Sequence, residues 1–198
     1  CEKNEFYNLV ISMKASNTLV MVQAYRLLAA TMLKNGRCYP LHLGVTEAGT
    51  LFSSSIKSSA ALGTLLHQGI GDTIRISISD DPVEECRVAK TLLNSFGLYN
   101  KVANLIACPT CGRIQYDMLP IVKEIETYLN TLNSEISVAV MGCPVNGPQE
   151  ASRADIGVAG GKNEALLFKK GQYIRSIPQN RIVEELKIEI DEHIKGKI

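Results

Sequence analysis

The sequence predicts an α/β segment of three strand–helix units followed by a small α+β domain. Three observations carry this. Short apolar runs alternate three times with helical stretches in the first 98 residues, about 33 residues per unit, a spacing that fits parallel strands joined by crossover helices. The alternation then breaks at the connection Leu98-Tyr99-Asn100-Lys101. Past it, shorter strands, a hairpin signal at Lys170-Gly171 and two further helical stretches read as a mixed domain of about 95 residues. The domains are therefore set at 1–98 and 99–198.

In order, residues 8–13 form an apolar run of strand type ending at Lys14. A helix is predicted over 18–34, with Asn17 as N-cap, Gly36 as stop, and Val20, Leu27, Leu28 and Met32 at helical spacing. Residues 41–46 make a second strand, ending at Glu47. The Ser-rich stretch 50–58, which contains Lys57, reads as a loop, with a helix from 59 to 68. The third strand is 72–78. Asp81-Pro82, a cap followed by proline at the first helical position, opens a helix that ends near Phe96. The second domain should hold a strand at 102–107, a helix over 118–132 and strands at 136–141 and 154–159. A hairpin of 166–169 and 172–177 follows, and a last helix over 179–193 carries Ile182, Leu186, Ile190 and Ile194 four apart.

Composition excludes little. The chain has 198 residues, is 45% hydrophobic and 21% charged, and has a net charge of +1, which gives no sign of a nucleic-acid or membrane-surface role. No stretch approaches the ~20 apolar residues of a membrane span, and the first residues have no signal-peptide pattern. Six cysteines are too few for a disulfide scaffold in a chain this long, so a reducing cytoplasm fits best. Cys1, Cys38 and Cys86 are scattered and read as ordinary thiols.

The other three cysteines sit in two segments that each follow an apolar run. Cys108-Pro-Thr-Cys111-Gly-Arg113 is a C-x-x-C turn, and Met141-Gly-Cys143-Pro-Val-Asn-Gly-Pro-Gln-Glu150 supplies a third thiol and then a carboxylate. Two thiols on a tight turn grip one metal centre without straining the backbone, and a third from an adjacent strand end can hold another corner of an iron–sulfur cluster. The same spacing is compatible with structural zinc, and C-x-x-C alone with thiol redox chemistry. His42, His67 and His193 all lie far from Cys143 in the sequence, although zinc commonly completes its ligands with His or Cys. Spacing leaves cluster and zinc both open.

The residues around these thiols add to this. CPTCGR, the MGC segment with VNGP and a following Glu-Ala, and ADIGVAGG closely resemble the C-terminal domain of the hydroxymethylbutenyl diphosphate synthase family, an iron–sulfur family of isoprenoid biosynthesis by the methylerythritol phosphate pathway. VISMKAS, LHLGVTEAG, IKSSAALGTLL and GIGDTIRIS resemble the later half of that family's TIM-type barrel. The resemblance implies that residues 1–98 are the last three units of such a barrel, since three units cannot close one and about five more would be needed. It implies a sulfite-reductase-like cluster domain in 99–198, with Cys108, Cys111, Cys143 and Glu150 holding a [4Fe–4S] cluster. Where the family reads CVVNGPGE this chain has Pro144 for Val and Gln149 for Gly. A glycine before the ligand admits a positive φ angle, so Gln149 raises the question of strain at Glu150.

The activity implied is reductive ring opening and dehydration of methylerythritol cyclodiphosphate to hydroxymethylbutenyl diphosphate. Ferredoxin or flavodoxin is implied as electron donor, with a head-to-tail homodimer in which the cluster domain of one subunit covers the barrel mouth of the other. Within the barrel part, Lys14, Glu47 and Lys57 fall at strand ends and the loops after them, where barrels carry reactive groups. Arg75 lies in the strand with Ser77 and Ser79 on the face opposite Ile74, Ile76 and Ile78, and needs an anionic partner there, Glu47 being one choice. The resemblance makes Lys14, Lys57 and Arg75 candidates for phosphate contact and Glu47 a candidate, with Glu150, for a catalytic role. His42 reads as structural. Two alternatives stay open: a cluster-carrying electron-transfer or sulfite-reductase-like domain, and a zinc-stabilised binding module without catalysis.

Overall fold

A computed structural model describes residues 1–145 and 147–196. The chain divides into two compact units, Cys1–Tyr99 and Asn100–Ile198.

The first unit contains α1 (Thr18–Lys34), β1 (His42–Gly44), α2 (Leu51–Leu66), β2 (Thr73–Arg75) and α3 (Pro82–Ser95). β1 and β2 are parallel neighbours, with Gly44 opposite Arg75. The strand expected at 8–13 is reduced to two parallel bridges to the next segment, Ile11 with Leu41 and Ala15 with Val45. Between them the Met13 N–H donates to the buried Tyr25 hydroxyl (2.9 Å), so the ladder is interrupted by a side chain. Helix α1 begins as its cap predicts, the Asn17 side chain accepting from the Val20 N–H at 3.0 Å. Its buried stripe agrees with the expected one only in part. Met32 is buried and Leu28 packs half-buried on the core as expected, but Val20 and Leu27 are exposed, and Met21, Val22 and Tyr25 take the core positions in the first turns.

The Ser-rich stretch expected as a loop at 50–58 is helical from Leu51 on, and Lys57 lies on α2. Serine is a poor helix former where it is solvated, but Ser54 and Ser58 are fully buried here, and the Ser54 hydroxyl donates to the Ser77 carbonyl at 2.7 Å. Small side chains let α2 approach the strand ends. Asp81 caps α3 by accepting from the Val83 N–H at 2.9 Å.

The second unit is a five-stranded sheet ordered β3 (Ala103–Ala107), β4 (Ile136–Met141), β5 (Ile156–Gly160), β6 (Glu164–Lys169) and β7 (Gln172–Pro178). β3, β4 and β5 are parallel, and β6 and β7 are antiparallel. Lys170 (φ 48°) and Gly171 (φ 83°) both take the left-handed conformation that a two-residue hairpin turn requires. Helices α4 (Met118–Leu129) and α6 (Ile182–Lys195) cover one face, where Ile125, Leu186 and Ile190 pack on Ile136, Val138, Val140, Ile156 and Leu167. The other face has smaller residues. Ala139, Met141, Ala159 and Phe168 pack there against Ala151 and Ala154, at the end of and just beyond the short helix α5 (Gly147–Ala151). That approach needs Gly157, because a Cβ there would stand 2.4 Å from the Ala151 carbonyl oxygen.

An ionic strip joins β6 and β7 to α6. Glu189, nearly buried, accepts from Lys169 Nζ (2.8 Å) and Arg175 Nη1 (2.9 Å), and Arg175 Nη2 also donates to Glu185 (2.7 Å). Burial pushes the Glu189 carboxyl up, but Lys169 and Arg175 outweigh it and hold the group below the ordinary carboxylate range. A depressed folded pKa contributes stability that is present above the unfolded value, about 4.3, and is lost as pH falls through the lower folded value. Glu189→Gln is therefore expected to lower stability at pH 7 and to flatten its decline below about pH 4.5. Urea midpoints at the two pH values test this, and equal acid sensitivity of variant and wild type would count against it.

Candidate metal centre

The thiol segments hang from neighbouring parallel strands. β3 ends at Ala107, paired with Val140, and runs directly into Cys108; β4 ends at Met141 and delivers Cys143 two residues later. Both loops leave the carboxyl ends of the strands, the usual position of sites in parallel sheets. They are tied to each other by main chain. The Gly142 N–H donates to Cys108 Sγ (3.3 Å), and the Gly142 carbonyl accepts from the Gln115 N–H (2.9 Å). Cys108 Sγ also lies 3.9 Å from the buried Met118 sulfur. A Cβ on residue 142 would sit 2.9 Å from Ile114 and 3.3 Å from the Met118 sulfur, so glycine is what lets the second loop lie on the first.

Together they enclose a cleft of about 210 Å³ lined by Cys108, Cys111, Arg113, Gly142, Cys143 and Glu150, among others. Cys143 is buried, Cys108 half-buried and Cys111 exposed, and among the described residues no disulfide joins the six cysteines. Cys1, Cys38 and Cys86 are exposed and belong to the other unit. Glu150 reaches the cleft from α5. Gln149 is inside that helix and is not among the residues with positive φ, so the glycine-to-glutamine departure brings no backbone strain there. The exposed Pro144 has a trans peptide bond, as all described residues do. Asn146 lies outside the described residues.

Three thiols and a carboxylate around one cleft make a soft donor set with one harder member. Among the described residues, no group of three or more His, Cys, Asp or Glu side chains converges on the position of a single metal ion. Arg113 is the cationic side chain of the lining. Tyr116, which the motif reading passed over, is buried beneath the loops and donates to the Met141 carbonyl (3.1 Å). Burial, and then the Cys108 thiol, push its pKa far above the ordinary value. The sequence signal was slight: an aromatic residue in a polar stretch three positions after Arg113.

In the first unit, Lys14 lies between the two bridging residues Ile11 and Ala15, Glu47 follows Val45, and Arg75 ends β2. These three thus fall toward the same ends of adjacent parallel segments, whereas Lys57 is carried on α2 and is exposed. Glu47 has φ 56°, a left-handed conformation that is uncommon outside glycine and clusters at functional sites. Arg75 does not pair with Glu47. Its guanidinium packs over Gly44, where a Cβ would be 3.2 Å from Nε, and Nη2 donates to the Val45 carbonyl at 3.4 Å. The buried Nε has no hydrogen-bond partner among the described residues. His42 is structural, its Nδ1 2.8 Å from the Thr73 hydroxyl and its carbonyl accepting from Tyr25.

Two known domains match this arrangement in sequence: residues 1–90 match the GcpE TIM-barrel domain, and residues 104–192 match the GcpE protein C-terminal domain. The chain belongs to the GcpE family. A relative from an Exiguobacterium species, named 4-hydroxy-3-methylbut-2-en-1-yl diphosphate synthase (flavodoxin), is 56% identical over 186 residues, or 94% of this chain and 48% of the relative. Relatives of the same name from Bacillus cereus and Bacillus mycoides are each 53% identical over 190 residues, 96% of this chain and 50% and 51% of theirs. The chain spans about half the length of the curated relatives it matches. Among the described residues no helix is long and apolar enough to cross a membrane.

Proposed function

We propose that this chain serves the reductive ring opening and dehydration of 2-C-methyl-D-erythritol 2,4-cyclodiphosphate to 4-hydroxy-3-methylbut-2-enyl diphosphate. The observation that carries the reading is the single cleft in which Cys108, Cys111, Cys143 and Glu150 meet. On this reading residues 1–98 are the C-terminal portion of a TIM-type barrel, and residues 99–198 are the cluster domain. Cys108, Cys111, Cys143 and Glu150 would hold a [4Fe–4S] cluster, which when bound supplies electrons one at a time. Glu150 would be the most weakly held of the four, because a carboxylate is a harder donor than a thiolate.

The remaining residues bind and orient. Lys14 and Arg75 supply positive charge for the two phosphate groups, and Lys57 adds charge from α2. Glu47, held in its unusual backbone conformation, orients the substrate or moves a proton. Counted on fully protonated acids, the ring opening takes up two electrons and two protons and releases one water. A flavodoxin, as in the relatives' name, or a ferredoxin supplies the electrons. A cytoplasmic setting and a head-to-tail homodimer, in which one subunit's cluster domain closes its partner's barrel mouth against water, complete the proposal.

Anaerobic purification followed by iron, acid-labile sulfide and zinc analysis tests it. The expected result is about four irons and as much sulfide per chain, with little zinc. One zinc per chain and no sulfide would replace this reading with a zinc-stabilised module. A full cluster whose spectrum the cyclic diphosphate leaves unchanged would replace it with an electron-transfer domain.

A further inference from the structure

Three contacts bind the two thiol loops into one body, and one of them is a side chain that does not face the cleft lining. Met141 lies one residue beyond the last pairing of β4 with β3 and is the final strand residue before Gly142 and Cys143. Its carbonyl accepts from the Tyr116 hydroxyl at 3.1 Å. The Tyr116 ring is buried at the end of β5 in a socket that only glycine permits, since a Cβ on residue 160 would lie 1.9 Å from Cε1 and 2.3 Å from Cδ1. The residue before it, Gln115, donates its N–H to the Gly142 carbonyl at 2.9 Å. Gln115 and Tyr116 therefore grip two successive carbonyls of the Cys143 loop while belonging to the chain that descends from the Cys108–Cys111 loop.

We infer that Tyr116, seated against Gly160, is a positioning residue that fixes Cys143 relative to Cys108 and Cys111 by holding the Met141 carbonyl. The inference rests on the reading that these three thiols share one cluster, but its geometry does not require the cluster to be bound. The ring also packs in the main core of this unit, so core filling is the competing role. The two roles differ in what the hydroxyl does. Core filling needs the ring alone, whereas positioning needs the hydrogen bond.

Tyr116→Phe separates them in the intact 198-residue chain, with Gly160→Ala as a second variant that evicts the ring from its socket. In the metal-free chain, alkylation of the buried Cys143 is expected to rise about five- to tenfold in Tyr116→Phe, the factor set by loss of one buried hydrogen bond. Cys38 and Cys86 should react as in wild type, and the amides of β4 and β5 should exchange as before. In the iron-loaded chain, release of iron to a chelator should accelerate by a similar factor. Unchanged Cys143 alkylation in Tyr116→Phe, or a rise matched by faster exchange throughout β4 and β5, would overturn the inference. Wild-type protein that binds no iron and sulfide, but whose Cys143 reactivity still follows Tyr116, would support the positioning role and remove the cluster reading.

Discussion

Cys108→Ser, Cys111→Ser and Cys143→Ser are each expected to abolish iron and sulfide binding, whereas Cys38→Ser and Cys86→Ser leave both at the wild-type level. Serine keeps the size of the side chain but replaces a soft thiolate with a hydroxyl that stays protonated at neutral pH, so the donor is lost while the fold is not. The cleft brings together these three cysteines and no others. Cys38 and Cys86 are exposed in the first unit, Cys86 on α3. Iron and sulfide analysis of the five variants, each purified anaerobically, reads the outcome directly. A Cys38→Ser chain as empty as Cys143→Ser would show that the ligands are wrongly assigned.

Glu150→Cys should keep its iron and lose its response to added ligands. A fourth thiolate binds iron more firmly than a carboxylate does, so an incoming oxygen or cyanide no longer finds a ligand it can displace. The affinity of the reduced, iron-loaded chain for cyanide or for the cyclic diphosphate, followed by its paramagnetic spectrum, is expected to fall at least tenfold, about 1.4 kcal/mol. Glu150→Ala should bind less iron than wild type but keep the response in the fraction that remains. The structure favours this role for Glu150 in two ways: the side chain lines the cleft, and Gln149 sits comfortably in α5. An undiminished response in Glu150→Cys would locate the displaceable ligand elsewhere.

The motifs made most of the site legible, because Cys108, Cys111 and Cys143 follow strands whose apolar runs are plain in the sequence. The rest depended on contacts between distant segments. Nothing in the spacing reveals that Gly142 donates to Cys108 or that Tyr116 reaches Met141, since each contact depends on how the two loops stack. Helix caps were readable at Asn17 and Asp81, where one side chain acts on its own neighbours. The Ser-rich start of α2 was not, because serine's local preference for turns is overridden by burial of Ser54 and Ser58 against strands far along the chain. The packing of the Arg75 guanidinium over Gly44 is likewise invisible in the sequence.

The position of β3 in its sheet bears on how the centre is assembled. β3 has one strand neighbour, and Asn104, Ile106 and Ala107 are exposed, whereas β4 is paired on both sides and almost wholly buried. An outer strand of this kind opens at lower free energy than an inner one. When it opens it carries Cys108 and Cys111 away, while Cys143 stays anchored to the interior. If the proposed centre is built from these thiols, its maturation would have an inherent order, Cys143 waiting in a finished wall and the Cys108–Cys111 pair arriving as the outermost strand zips onto β4. Cys111, exposed where Cys143 is buried, would then be the thiol that oxidants reach first.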